Sequence, residues 1–340
     1  MPRRAQHSDA MTPRERFHAV MNFQPFDRLP IVEWAVWWDQ TIDRWHTENL
    51  PQGTKNRYSI NRHFGVELYA QQWVASLGPK CPREPSHGAG IIRDMDDYER
   101  IRPLLYSPHA VDMAWLRLWA ERQKRGEAVL WFSLDGFFWF PRVLLGIERH
   151  LYAFFDQPEL MHRINSDLAE FQLRVIDRIC SVCTPDFMTF GEDMSYNHGP
   201  MISKASFDEF LMPYYRRVIP RLKEHGILVI IDSDGDVTVP AHWFEEAGID
   251  GVLPLERQAG VDIAVLRAQH PRMRFIGHFD KMTMPKGEHA MRAEFERLLP
   301  TAAQGGFIIS VDHQTPPGVS YDQYRTYLKL FREYAVKAAR

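Results

Sequence analysis

Ile227-Leu228-Val229-Ile230-Ile231-Asp232-Ser233-Asp234-Gly235-Asp236 decides how this 340-residue chain folds. An unbroken apolar run rich in β-branched residues is the pattern of a strand buried on both faces, as in a parallel sheet. The residues after it place three carboxylates at the C-terminal end of that strand. Crowded acids repel one another, so such a group needs a cation, shared protons or basic partners. The same pattern recurs where short apolar runs end in Phe190-Gly191-Glu192-Asp193, Leu253-Pro254-Leu255-Glu256, Gly277-His278-Phe279-Asp280-Lys281 and Ser310-Val311-Asp312-His313.

Working outward, strand-like runs occur at residues 29–33, 68–74, 129–133, 187–190, 227–231, 251–255, 274–279 and 307–311, about eight in all. Helical patterns lie between the later runs. Ser206-Phe207-Asp208-Glu209 has the spacing of a capping box, and the helix it opens runs through Tyr214, Tyr215, Val218 and Leu222 to a stop at His225-Gly226. Residues 239–247 end at Gly248, 261–269 end before Pro271 and 289–299 end at Pro300. In the first half, Tyr106-Ser107-Pro108 introduces a helix through Trp115 and Trp119, and residues 147–155 precede another that opens at Asp156-Gln157-Pro158-Glu159 and runs to Val182. Strand and helix in alternation mean parallel strands. The expected fold is therefore α/β, a (β/α)8 TIM barrel with N-terminal helical insertions. A frayed tail over residues 1–10 precedes one domain over 11–340, and the strand ends converge on one mouth. The turn-rich insertions at 51–57 and 79–90 are expected to decorate that mouth.

Composition excludes several classes. A net charge of -3 and no basic stripe argue against nucleic acid. No apolar stretch approaches the roughly 20 residues of a membrane span, and the N-terminus lacks the apolar core of a secretory signal, so a cytoplasmic protein is expected. Cys180 and Cys183 read as small buried helix residues, and the distant Cys81 makes no second pair for zinc. There is no Gly-x-Gly-x-x-Gly after a strand, no Walker loop, no His-Glu-x-x-His and no Gly-x-Ser-x-Gly, so no nucleotide cofactor is expected.

The candidate catalytic residues are His313, Asp232, Asp193 and Glu192, each within a residue or two of a strand end. Asp232, Asp234 and His313 form a candidate metal set, for which carboxylate plus imidazole suits zinc, manganese or iron. The same groups without a metal would serve as proton donors and acceptors. The competing explanation is that these acids cap helices or pair with basic residues, Lys281 with Asp280 for example. A calcium loop is excluded, because Gly235 precedes Asp236 and Trp243 stands where the twelfth-position Glu belongs. Trp34, Trp37, Phe138, Trp139 and Tyr196, with Glu256 and Lys281, are the candidate substrate-binding residues around an apolar or aromatic pocket.

Three stretches carry a family resemblance. Thr12-Pro13-Arg14-Glu15-Arg16-Phe17 with Phe26-Asp27-Arg28-Leu29-Pro30, then Ile202-Ser203-Lys204-Ala205-Ser206-Phe207-Asp208-Glu209-Phe210-Leu211-Met212-Pro213-Tyr214, then Gly305-Gly306-Phe307-Ile308-Ile309-Ser310, together resemble the superfamily of uroporphyrinogen decarboxylase and the cobamide-dependent methyltransferases. The resemblance implies a (β/α)8 barrel with its active site at the mouth. Two departures matter. The decarboxylase's Arg-Gln-Ala-Gly-Arg-Tyr loop is replaced by Glu33-Trp34-Ala35-Val36-Trp37-Trp38, and the His-x-Cys and later Cys of the thiol-methylating branch by Asp232-Ser233-Asp234 and His313. The resemblance implies a methyltransferase or demethylase that passes a methyl group from a small methoxy or methylamine compound to a corrinoid on a separate partner protein. A divalent metal, zinc foremost, is the expected cofactor. A small-molecule substrate, a corrinoid protein and a second copy of the chain in a homodimer are the expected partners. The alternatives are a decarboxylase of a tetrapyrrole or smaller carboxylate, and a non-catalytic barrel that binds a tetrapyrrole or corrinoid.

Overall fold

A computed structural model describes residues 10–339. The tail expected over 1–10 lies, but for Ala10, outside the described residues. Nine strands form: β1 Leu68–Val74, β2 Ala128–Asp135, β3 Phe187–Gly191, β4 Ser195–Tyr196, β5 Gly199–Pro200, β6 Leu228–Asp232, β7 Gly251–Leu253, β8 Arg274–Phe279 and β9 Phe307–Val311. Seven of them make one sheet in the order β1-β2-β3-β6-β7-β8-β9, parallel throughout, and β4 and β5 pair as a small antiparallel hairpin. β2 and β3 are buried along their whole length, as strands covered on both faces must be. Register aligns the C-terminal ends: Asp135 lies beside Gly191, Gly191 beside Asp232, and Asp232 beside Leu253. The loops that follow these strands therefore leave from one level.

The run at 29–33, expected as the first strand, forms no ladder. Pro30 has no N–H to donate, and the hydrogen bonds of this run go elsewhere. Ile31 O accepts from Glu67 N at 2.8 Å, just before β1, and Leu29 N donates to Ala335 O at 3.0 Å in the last helix. The Glu33 carboxyl accepts from Ser310 Oγ of β9 and from Tyr324 OH, both at 3.0 Å. Trp34 N and Nε1 then reach Ser310 Oγ and Val311 O. The segment thus bonds to β9 on one side and to the residue just before β1 on the other without joining either strand.

Most helices fall where the periodicity puts them, with shifted ends. The cap near residue 206 is Ser203, whose hydroxyl accepts from Ser206 N, so Lys204–Phe210 is a helix of its own. A second helix, Met212–Glu224, starts with Pro213 in its first turn, where a missing N–H costs nothing. Asp112 rather than Ser107 caps Met113–Lys124, and Glu288–Ala302 runs through Pro300. One apolar cluster extends from Phe17 to Ala338. Among the described residues no helix is long and apolar enough to cross a membrane. Burial raises the thiols of Cys180 and Cys183 to about 11 and about 12, which suits inert packing residues.

Because side-chain bonds replace a ladder at 29–33, Tyr324→Phe should cost on the order of 1–3 kcal/mol by leaving the buried Glu33 carboxyl short of a donor. Urea unfolding at neutral pH measures this; an unchanged midpoint with unchanged slope would show that the bond does not hold the segment.

Candidate active site

Gly191, at the end of β3, leaves room for Trp73 of β1, since a Cβ there would stand 2.8 Å from the indole ring. The chain then turns sharply. Asp193 sits at φ 37°, a left-handed conformation costly for a residue with a side chain. Its Oδ1 accepts from Asp234 N at 3.1 Å, which ties the loop after β3 to the loop after β6. Gly235, at φ 82°, lies against the β4-β5 hairpin, where a Cβ would come within 2.7 Å of the Ser195 backbone. Gly235 N donates to Glu256 Oε2 at 3.0 Å, adding the loop after β7.

These constraints bring carboxylate oxygens of Asp193, Asp232 and Asp234 within 4.8 Å of one another. His313, from the loop after β9, places Nε2 3.7 Å from Asp234 Oδ2, and its ring meets Trp34 edge to face at 6.2 Å. All four line a cavity of about 390 Å3 whose walls include Trp34, Trp73 and Trp139. The Asp232 carboxylate makes no hydrogen bond among the described residues; burial, then the charges of Asp193 and Asp234, push it well above the usual carboxylate range. Burial likewise raises Asp193, against the hydrogen bond from Asp234 N, and pushes Asp234 up to about 7 with help from Asp193 and Glu256. Burial lowers His313, and so does nearby Lys281. A group in this state holds protons near neutrality or takes a cation.

The remaining expected residues lie outside this group. Glu192, expected as catalytic, faces away from the cavity: Oε2 accepts from Phe138 N at 3.0 Å and Trp139 N at 3.2 Å, and Oε1 from Tyr215 OH. Burial raises it to about 7 even against those donors. Trp37 packs on Trp45 and Tyr324 in the core, and Phe138 on His150 and Phe154. Tyr196 is exposed on the hairpin beside His198. Glu256 and Lys281 stand behind the cavity wall; Lys281 pairs with buried Asp312 at 3.1 Å rather than with Asp280, which caps the following turn at Met282 N. The helix-capping explanation thus holds for Asp280, Asp236 closes a local turn by accepting from Thr238 N, and neither applies to the clustered three.

Four lining residues escape the motif search: Arg57, Gln71, Trp73 and Gln314. Gln71 and Trp73 share one face of β1 by the two-residue period, and a pair of glutamines, Gln71 and Gln72, interrupts that otherwise apolar strand. Trp139 also lines a second, larger cavity of about 520 Å3 made with the insertion at 79–90, and Arg142 stacks on its ring at 4.9 Å. That cavity contains none of the clustered carboxylates.

The sequence matches the family Uroporphyrinogen decarboxylase (URO-D) over residues 124–334, more than half of the chain. The chain belongs to that family. A methyltransferase from Methanosarcina mazei has a similar structure, with a TM-score of 0.69 at 13% identity over 95% of this chain and 99% of that one. At that identity the likeness shows a shared fold. A B12-independent methionine synthase from Shewanella sp. W3-18-1 aligns with a TM-score of 0.41 at 11% identity, covering 66% of this chain and 65% of that one. A β-glycosidase from Thermosphaera aggregans aligns at 0.42 and 11%, covering 84% of each chain. No curated protein matches the sequence. The URO-D family consists of enzymes, decarboxylases and methyltransferases among them.

Glu192 gives a test with a definite sign. Its folded value of about 7 exceeds the unfolded one near 4.5, so the folded state binds the extra proton between these pH values and wild-type stability falls by about 3 kcal/mol as pH rises through them. Glu192→Gln, which keeps an acceptor for the two N–H groups, should be near neutral at pH 4.5 and stabilising at pH 8, whereas Glu192→Ala should destabilise at both. Thermal melts across that range check this; a Gln variant with no pH-dependent gain would show that Glu192 is ionised without cost.

Proposed function

We propose that this chain is a methyltransferase of the URO-D-like group that removes a methyl group from a small methoxy or methylamine compound and delivers it to a corrinoid held by a separate protein. Residues 11–340 are taken as one (β/α)8 barrel in which the run at 29–33 completes the wall. The observation that carries the proposal is the Asp193–Asp232–Asp234 cluster with His313, at the strand ends and under tryptophans.

Breaking a methyl–oxygen or methyl–nitrogen bond needs an electrophile on the heteroatom, because an alkoxide or amide anion leaves poorly. Protonated Asp234 or His313 supplies it by giving its proton to the leaving heteroatom while the methyl carbon passes, without its bonding pair, to the nucleophilic acceptor. Asp232, raised by burial and then by the charges of Asp193 and Asp234, keeps a proton at that point. Trp34, Trp73 and Trp139 wall the site, exclude water and orient the methyl-bearing group. Three carboxylates and an imidazole, with no basic side chain touching Asp232, also fit a divalent ion such as zinc, manganese or iron(II); Asp193, Asp232, Asp234 and His313 would hold it, and when bound it supplies the same electrophilic assistance.

A second use of the site, decarboxylation of a small carboxylate with Asp234 or His313 as proton donor, is favoured by the value of about 7 for Asp234. The two are separated by assaying methoxyarenes, methylamines and their carboxylates with free cob(I)alamin as acceptor, before and after chelation. Methyl transfer that falls roughly 10²-fold or more in Asp232→Asn and His313→Ala supports the proposal. Carbon dioxide release that persists in chelator supports decarboxylation, and full activity in both variants rejects the site.

A further inference from the structure

The cavity has a second pole. Arg57 lines it together with the acid cluster, yet among the described residues it forms no ion pair. Its Nη2 donates to Glu33 O at 3.1 Å and Trp34 O at 2.7 Å, and its Nη1 to Gln71 Oε1 at 3.2 Å. A guanidinium has five N–H groups, so two stay without a protein acceptor. Gln71 is fixed in turn, donating to Ser133 Oγ at 2.9 Å, and Ser133 bonds Thr189 at 2.7 Å. The cation is thus held in place from below by a chain of side chains.

This is an unfavourable place for a bare cation. Arg57 is the first residue of the helix Arg57–Phe64, where the helix dipole opposes positive charge, and burial lowers its affinity for the proton. The acids do not relieve it. The charges that act on Asp232 are those of Asp193 and Asp234, and the carboxylate that acts on Arg57 is Glu33, with none of the clustered three. One cavity therefore holds a cation and an acid cluster that do not neutralise each other, with the faces of Trp34, Trp73 and Trp139 around it. Its volume of about 390 Å3 is at the low end for a ligand pocket, where sites span roughly 300–1,000 Å3.

We infer that the ligand of this cavity is a small carboxylate whose anionic end pairs with Arg57, while its other end, the methyl-bearing nitrogen or oxygen, faces Asp232 and His313. The identity of that second end rests on the methyl-transfer proposal; the anion site rests on Arg57 and the cavity alone. Gln71 is a positioning residue for the guanidinium.

Two pairs of probes test this: N,N-dimethylglycine against N,N-dimethylethanolamine, and 4-methoxybenzoate against 4-methoxybenzyl alcohol. Each pair keeps the methyl-bearing end and differs at the carboxylate. Calorimetric titration of the wild type should show one acid binding about tenfold or more tightly than its alcohol, a ratio of the size charge-assisted bonds give, and the pair that does so tells nitrogen from oxygen. Arg57→Gln should abolish that ratio. Arg57→Lys, which keeps the charge without the planar fork, should reduce the ratio several-fold and is the deciding variant if Arg57→Gln does not fold. Equal binding of acid and alcohol, a ratio that survives both substitutions, loss of the alcohol's affinity along with the acid's in Arg57→Lys, or no binding by any probe overturns the inference. Acid preference without methyl transfer to cob(I)alamin keeps the anion site and sinks the methyl-transfer proposal; transfer without acid preference does the reverse.

Discussion

Parallel pairing of Gly191 with Asp232 and of Asp232 with Leu253 sets the level at which three loops leave the sheet, and everything at the mouth depends on it. A slip of one residue in any of these ladders would turn the side chains over to the opposite face and scatter the acids. The register is secured from both sides. Below, the apolar residues of β3 and β6 are buried; above, Asp193 Oδ1 holds Asp234 N and Glu256 holds Gly235 N, so each loop is fastened to the next. The left-handed turn at Asp193 is tolerable because it is fixed by this bond and by the ladder beneath it.

Carboxylates in this chain do two different kinds of work. Glu33, Glu192 and Asp312 are buried and their oxygens are engaged by hydroxyls, backbone N–H groups or Lys281. They anchor segments where no ladder exists: Glu33 the run at 29–33, Glu192 the turn before Trp139, and Asp312 the start of the Lys281 turn. Asp232 differs because its carboxylate meets other carboxylates and no donor. That distinction rests on which atoms each acid touches, and burial alone would not reveal it, since burial raises both kinds.

Much of the sheet was legible in the residues. The runs at 68–74, 274–279 and 307–311 are strands with those very limits, because turn formers bound them on both sides. The run at 29–33 looks the same by composition, and only the tertiary contacts of Glu33 and Trp34 decide that it stays unladdered. At the site, the placement of Asp193, Asp232, Asp234, His313, Trp34 and Trp139 followed from their position at or after the ends of apolar runs. Glu192 and Asp193 are neighbours in sequence, and the left-handed turn at Asp193 accompanies their facing different ways, which a motif at a strand end does not specify. Arg57 closes the turn-rich insertion at 51–57 expected at the mouth, but no motif marks it as a cavity residue, because it enters the site as the first residue of a helix that only the fold brings there.

Trp139 belongs to the walls of both large cavities at this end of the molecule. The backbone therefore does not by itself fix how long a ligand the protein accommodates. Among the described residues Trp139 alone is common to the two linings, so the size of its side chain bears on both chambers at once. Arg142 stacked on the indole contributes something near 0.5–1 kcal/mol to holding it, so a small residue at position 139 would open both walls together.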